Sequence, residues 1–288
     1  MEPVLAELLE LLRLERIEAN LFRGQSQDLG WGRVFGGQVV GQALSAAAQT
    51  VPDERPVHSA HAYFLRPGDA RKPIAYMVDP IRDGQSFTTR RVVAIQNGKA
   101  ILNLAASFQV VEGGLDHQDE APEVTPPEEL LSEQQLAEKF ADRIPKSLQA
   151  MALARRPIET RPVRPQDPLK PRVLPPRRQV WFRALDRLPD DDALHRYLLA
   201  YSSDFHFLTT SMQPHGVSWL TPGFQVASLD HAMWFHRPFR MDEWLLYDIE
   251  SPTSSGARGL VRGRFFDRQG RLVATTVQEG LIRDRRSP

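Results

Sequence analysis

Apolar and polar positions alternate in two distinct rhythms along this chain. In the first ten residues, Met-Glu-Pro-Val-Leu-Ala-Glu-Leu-Leu-Glu, acids interrupt leucines at helical spacing, which predicts an amphipathic surface helix. Gly36–Thr50 is rich in Ala, Gly and Gln and free of proline, and it predicts a second helix. Gly37 and Gly41 lie one turn apart there and would allow close approach to a sheet. A third helix should start after Asp190-Asp191-Asp192, good N-cap and first-turn residues, and continue through Leu194, Leu198, Tyr201 and Phe205. Strand-like runs fall near Val57–Leu65, Pro73–Arg82, Ser86–Gln96 and Lys99–Val110. A second set falls near Phe224–Phe235, Glu243–Ser251, Ala257–Asp267 and Leu272–Ile282. Asn97-Gly98 is the strongest hairpin signal, Gln269-Gly270 is a weaker version of it, and Asp83-Gly84 reads as another turn.

The two sets resemble each other. His61-Ala-Tyr-Phe-Leu-Arg-Pro67 matches His231-Ala-Met-Trp-Phe-His-Arg-Pro238 if one residue is inserted in the second. Past the insertion the register holds at an offset of 171: Tyr63 pairs with Trp234, Arg66 with Arg237, Tyr76 with Tyr247 and Arg91 with Arg262. Each repeat is one long helix followed by about four antiparallel strands. A helix wrapped by a curved antiparallel sheet is the hotdog arrangement, so the expected fold is α+β, a double hotdog in one chain. Two unrelated α+β domains are the competing reading.

Eleven of the 23 prolines lie between Pro122 and Pro176, a density that no regular sheet core tolerates. Ser132–Asp142 inside this stretch looks like a short amphipathic helix. We expect an N-terminal hotdog over 1–115, a proline-rich connection with short helices over 116–156, and a C-terminal hotdog over 157–288. Ile158–Val163 and Arg178–Leu185 would open the second half as Ile17–Arg23 opens the first.

Composition narrows the class. At 288 residues, with 41% hydrophobic and 25% charged positions, the chain suits a globular protein of about two domains. Its 36 basic and 36 acidic residues cancel, so no overall basic field exists to hold nucleic acid. No stretch approaches the apolar length of a membrane span. The acid-interrupted N-terminus is unlike a signal peptide, and Arg285-Arg-Ser-Pro288 is not the peroxisomal Ser-Lys-Leu address, so a cytoplasmic location is expected. The absence of cysteine rules out disulfides, Cys-containing zinc sites and a Cys nucleophile. The G-x-S-x-G elbow, the P-loop, H-E-x-x-H and the Rossmann glycine fingerprint are all missing, and nothing calls for a metal or a cofactor.

Several long motifs, in order and at similar spacing over nearly the whole chain, resemble the bacterial acyl-CoA thioesterase II family. They are Leu21-Phe-Arg-Gly-Gln-Ser26, Val34-Phe-Gly-Gly-Gln-Val-Val-Gly-Gln-Ala43, Phe64-Leu-Arg-Pro-Gly-Asp69, Asp230-His-Ala-Met-Trp-Phe-His-Arg-Pro-Phe239 and Val277-Gln-Glu-Gly280. The resemblance implies a double hotdog, hydrolysis of acyl-CoA to fatty acid and CoA, and a homo-oligomer, with a tetramer expected. It also implies a catalytic aspartate, hydroxyl residue and glutamine, which fall on Asp204, Ser228 and Gln278. Bacterial relatives often carry threonine at the second position and eukaryotic relatives serine, so the hydroxyl is retained.

A thioester carbonyl is electrophilic and the CoA thiolate leaves readily, so water can attack directly. Asp204 could accept the water proton. It would share a helix face with Tyr197, Tyr201 and Leu208 by spacing. Partial desolvation on that face would favour its protonated form, and hydrogen bonds from Ser228 and Gln278 would oppose this. In a strand, Val226, Ser228 and Asp230 would point one way. Read without the resemblance, Asp204 is a helix C-terminal residue bonding nearby backbone, and Ser228 and Gln278 are ordinary strand polar residues. Oxyanion donors are expected at a helix N-terminus, with Gly36-Gly37-Gln38 as candidate and tight helix packing as its competitor. His58 is the first alternative base among His58, His61, His231 and His236, and Arg66, Arg237 and Arg262 are candidates for CoA phosphates. The rival functions are a hotdog hydratase, which pairs an aspartate with a histidine about five residues later, and a non-catalytic acyl-CoA-binding protein. Position 209 is threonine and His206 is out of that register.

Overall fold

The computed structural model describes residues 1–286; the last two residues of the expected C-terminal unit, 287–288, lie outside the described residues. The first half holds α1 (Pro3–Leu12), β1 (Glu15–Glu18), β2 (Leu21–Gly24), α2 (Gly36–Ala48), β3 (Val57–Phe64), β4 (Ile74–Asp83), β5 (Phe87–Gln96) and β6 (Lys99–Gln109). The connection carries α3 (Glu133–Lys139) and α4 (Lys146–Leu153). The second half holds β7 (Ile158–Pro162), β8 (Arg177–Ala184), α5 (Asp192–Ser202), α6 (Thr209–Met212), β9 (Phe224–Ser228), β10 (Asp230–Phe235), β11 (Leu245–Ser255), β12 (Arg258–Phe266) and β13 (Leu272–Asp284).

One sheet runs through both halves in the order β1-β2-β4-β5-β6-β3-β10-β13-β12-β11-β8-β7, with β9 pairing β13 from off this path. The halves join where β3 and β10 pair antiparallel, and α2 packs against α5. This is the double hotdog. Asn97-Gly98 does turn β5 into β6, both residues having positive φ (51° and 71°). The repeat register is visible in the core: Tyr76 and Tyr247 are both fully buried, Tyr76 donating to Gln42 Oε1 at 2.6 Å and Tyr247 to the Ser203 carbonyl at 3.0 Å.

Several boundaries differ from those the pattern predicts. The opening segment Ile17–Arg23 is a hairpin, broken between β1 and β2. The run 224–235 is two strands, β9 and β10. A turn at Gly256-Ala257, both with positive φ (55° and 58°), lets β11 extend to Ser255. The third helix ends at Ser202 and stops short of Phe205. Gly37 and Gly41 serve helix–helix packing: a Cβ on Gly37 would stand 2.2 Å from the Tyr201 carbonyl oxygen, and one on Gly41 3.1 Å from that of Tyr197. The close approach they permit is therefore to α5 and not to a sheet.

The break between β9 and β10 has a physical cause. Ser228 opposes Gly280 on β13, whereas Ala232 opposes Val277, so one extra residue has entered the second strand between them. That is a β-bulge. Ser228 and His231, three positions apart, consequently both reach Gln278, which strict alternation forbids. The insertion that separates the two sequence repeats sits here, before His231. Burial agrees: Ala60 (2%) and Ala62 (2%) match His231 (2%) and Met233 (1%), while His61 is exposed. His231 thus corresponds to Ala60, not to His61.

Candidate active site

A cavity of about 2000 Å³ opens between the start of α2, the end of α5, β9 and the connection. Phe35, Val39, Phe64, Ile101 and Phe205 supply apolar wall, and Asp204 and Ser228 face into it. Phe35 stacks on Phe205 at 4.3 Å and meets Tyr201 edge-on at 5.3 Å. Burial pushes the Tyr201 phenol well above its ordinary range, so it stays neutral beside the site.

Asp204 lies just beyond α5, in the turn that leads to His206 (φ 62°). Its Oδ2 accepts from the Gly37 N–H at 3.0 Å, across 167 residues of chain. The partner is therefore distant backbone, not the nearby backbone of an ordinary helix end. The carboxylate occupies the N-terminus of α2, where unpaired N–H groups and the helix dipole favour negative charge. A side chain at Gly36 would enter the same space, its Cβ 2.6 Å from Oδ2. Asp204 Oδ1 accepts from the Ser228 hydroxyl at 3.3 Å, and Ser228 Oγ accepts from Gln278 Nε2 at 2.7 Å. Asp204, Ser228 and Gln278 therefore form one hydrogen-bonded row. They are unequal in access: Asp204 and Ser228 line the cavity, while Gln278 is fully buried behind Ser228.

Other expected positions divide. Arg66 lines the cavity and donates to the Ala100 carbonyl at 2.8 Å. Arg237 does not line it; its guanidinium pairs with Asp116 and donates to the Leu272 carbonyl, tying the connection to β13. Arg262 is also away from the cavity, paired with Glu250 at 2.7 Å. His58 faces Ser107 Oγ at 2.8 Å and the Phe87 ring, outside the cavity, and burial pushes its imidazole down. The Gly37 N–H, expected to meet an oxyanion, is already given to Asp204. Of the four histidines weighed as an alternative base, the one that reaches the row is His231 and not His58: its ring touches Gln278 and Ser203.

The connection reaches the site through Glu133 on α3. Its carboxylate lies 3.4 Å from His206 Nε2 and 3.8 Å from Arg178, and accepts from the Thr160 hydroxyl at 2.8 Å. Burial opposes its charged form, but His206, Arg178 and Thr160 together hold the carboxyl down at about 2, against an ordinary 4.5. The folded value is the lower one. The contact therefore contributes stability above about pH 4.5, and loses it as pH falls from there through about 2. Thermal unfolding across that window should show a shallower acid loss for Glu133→Gln than for the wild-type chain. Equal slopes would remove Glu133 from this role.

Comparison with known proteins agrees with this architecture. A family model described as Acyl-CoA thioesterase matches residues 147–281, and one described as Acyl-CoA thioesterase N-terminal domain matches residues 26–109. The chain is 46% identical to Acyl-CoA thioesterase 2 of Haemophilus influenzae, over 98% of this chain and 99% of that one. It is 42% identical to human Acyl-coenzyme A thioesterase 8, over 95% of this chain and 88% of the relative. The crystal structure of an acyl-CoA thioesterase II, TesB2, from Mycobacterium marinum superposes with a TM-score of 0.76 at 40% identity, covering 96% of this chain and 98% of that one. The chain belongs to the acyl-CoA thioesterase family.

Proposed function

We propose that this protein hydrolyses medium- to long-chain fatty acyl-CoA to free fatty acid and CoA, with water as the nucleophile. The observation that carries this is the Asp204 carboxylate, held by the Gly37 N–H and the Ser228 hydroxyl where the cavity has its apolar wall. Ser228 Oγ donates to Asp204 and accepts from Gln278, which leaves a lone pair for a water hydrogen. A water between Asp204 and Ser228 can give one hydrogen to each and turn a lone pair toward the thioester carbon. As its oxygen bonds to that carbon, its proton passes to Asp204. The tetrahedral intermediate then expels the CoA sulfur, which takes the proton from Asp204, giving acid and thiol. Gly36, whose backbone lines the cavity beside Gly37, is the remaining glycine donor at that helix end for the developing oxyanion.

The apolar wall suits an acyl chain. Arg33, Arg66, Arg143, Arg155, Lys170 and Arg172 are exposed along the cavity and suit the phosphates of CoA. No described helix is long and apolar enough to cross a membrane. We further propose a homo-oligomer, on the strength of the family resemblance, a cytoplasmic location, and a division into units 1–115, 116–156 and 157–288. The hydratase reading finds no support in the site. Thr209 bonds the His206 carbonyl, and the His206 ring is turned to Glu133.

Incubation with palmitoyl-CoA and a thiol dye tests the reading. Free thiol should appear with turnover. Ser228→Ala should lower kcat about 10- to 100-fold with little change in KM, since it removes one donor to Asp204 and one acceptor for water. No thiol release across chain lengths would overturn the function.

A further inference from the structure

One buried histidine has no part in the chemistry above. His231, on β10, is 2% exposed, with its Nδ1 2.7 Å from Gln278 Oε1 and its Nε2 2.9 Å from Ser203 Oγ. Continuing the β10–β13 register by one position from Ala232↔Val277 puts His231 directly opposite Gln278. Its other contact, Ser203, is fully buried and immediately precedes Asp204. His231 therefore links the strand that carries Gln278 to the turn that carries Asp204.

We propose that His231 is a positioning residue: it fixes the orientation of the Gln278 amide, and so the direction of the hydrogen bonds that end on Asp204. The proposal rests on the hydrolytic reading of Asp204. Gln278 has one accepting and one donating end. A proton on His231 Nδ1 selects the accepting end, Oε1, and turns the Nε2 donors toward Ser228. Ser228, receiving a hydrogen bond, then directs its own O–H to Asp204. With that tautomer every bond in the row points the same way: His231 to Gln278, Gln278 to Ser228, Ser228 to Asp204. The flipped amide would present Oε1 to Ser228. The serine hydrogen would then turn away from Asp204, and two acceptors would face each other at 3.3 Å. The required tautomer turns the single Ser203 hydroxyl hydrogen to Nε2 at 2.9 Å in place of the Ala200 carbonyl, which lies at the same distance.

The other half of the molecule shows what this pair replaces. There the corresponding cross-strand pair is Ala60 and Ala106, both buried. The strand pairing is thus made without any polar side chain at this level, and backbone geometry alone does not require His231.

The test uses the full chain and thiol release from palmitoyl-CoA. The amide N–H of His231→Asn can take the place of Nδ1–H. His231→Gln extends toward the Nε2 position and loses that donor. His231→Gln should lower kcat about tenfold or more with KM within about twofold, and His231→Asn should retain most of the activity. In a Gln278→Ala background, adding His231→Gln should cost no further kcat, because the partner through which it acts is gone. Equal losses in the Asn and Gln variants, an undiminished His231→Gln, or losses that multiply in the double variant would overturn the proposal. An inactive wild-type chain would overturn the hydrolytic reading and this one with it; an active wild type with any of those three results overturns this one alone.

Discussion

Asp204→Asn should abolish most thioester hydrolysis while leaving the protein folded. The asparagine Oδ1 can still accept from the Gly37 N–H, so the contact between α2 and the end of α5 survives. What disappears is the carboxylate oxygen facing Ser228 and the cavity. The amide that replaces it cannot take a proton from water. A positioned general base contributes about 10²- to 10⁴-fold, and kcat should fall by that order with KM little changed. Initial rates of thiol release at several palmitoyl-CoA concentrations give both parameters, and thermal unfolding gives the control. An unaltered kcat would mean that another group activates the water.

Gly37→Ala should damage both stability and rate. The added Cβ would stand 2.2 Å from the Tyr201 carbonyl oxygen and 2.6 Å from the Phe35 ring, against ordinary contact that begins at 3.4 Å. The nearer of these is backbone, which cannot rotate away, so α2 and α5 must separate. Overpacking of this kind costs about 1–3 kcal/mol. Separation also draws the Gly37 N–H from Asp204, and a displacement of about 1 Å at a reacting group can cost about 100-fold in rate. Gly113→Ala is the matched control: nothing lies within 4 Å of its Cβ, so its effect should stay within about 0.5 kcal/mol. Denaturant unfolding and thiol release on the three proteins separate the two effects. A Gly37→Ala protein as stable as the wild type would contradict the helix–helix contact.

Much of the fold is legible in the sequence because its signals are local. Asn97-Gly98 names its own turn, the acids at 190–192 name a helix start, and the paired motifs His61–Pro67 and His231–Pro238 give the repeat. The site is legible only through resemblance, since its contacts are not local. Asp204 takes its meaning from Gly37, 167 residues away, and no spacing rule connects them. The helix before it ends at Ser202 without a glycine or proline to announce the stop, so Asp204 reads as one more helical residue. His231 was hidden differently. Sequence identity aligns it with the exposed His61, and only the bulge between Ser228 and Ala232 shows that it belongs at the buried Ala60 position. A strand bulge leaves no mark in a hydrophobic pattern beyond one unexplained residue.

The central claim is that water, activated at Asp204, attacks the thioester directly. Single-turnover hydrolysis of palmitoyl-CoA in ¹⁸O-water, with enzyme in excess, tests this most directly. The account predicts one heavy oxygen in the fatty-acid carboxylate from the first turnover and an unlabelled Asp204 peptide. Unlabelled first-turnover product with the heavy oxygen in the Asp204 side chain would contradict it, because the carboxylate itself would then be the nucleophile.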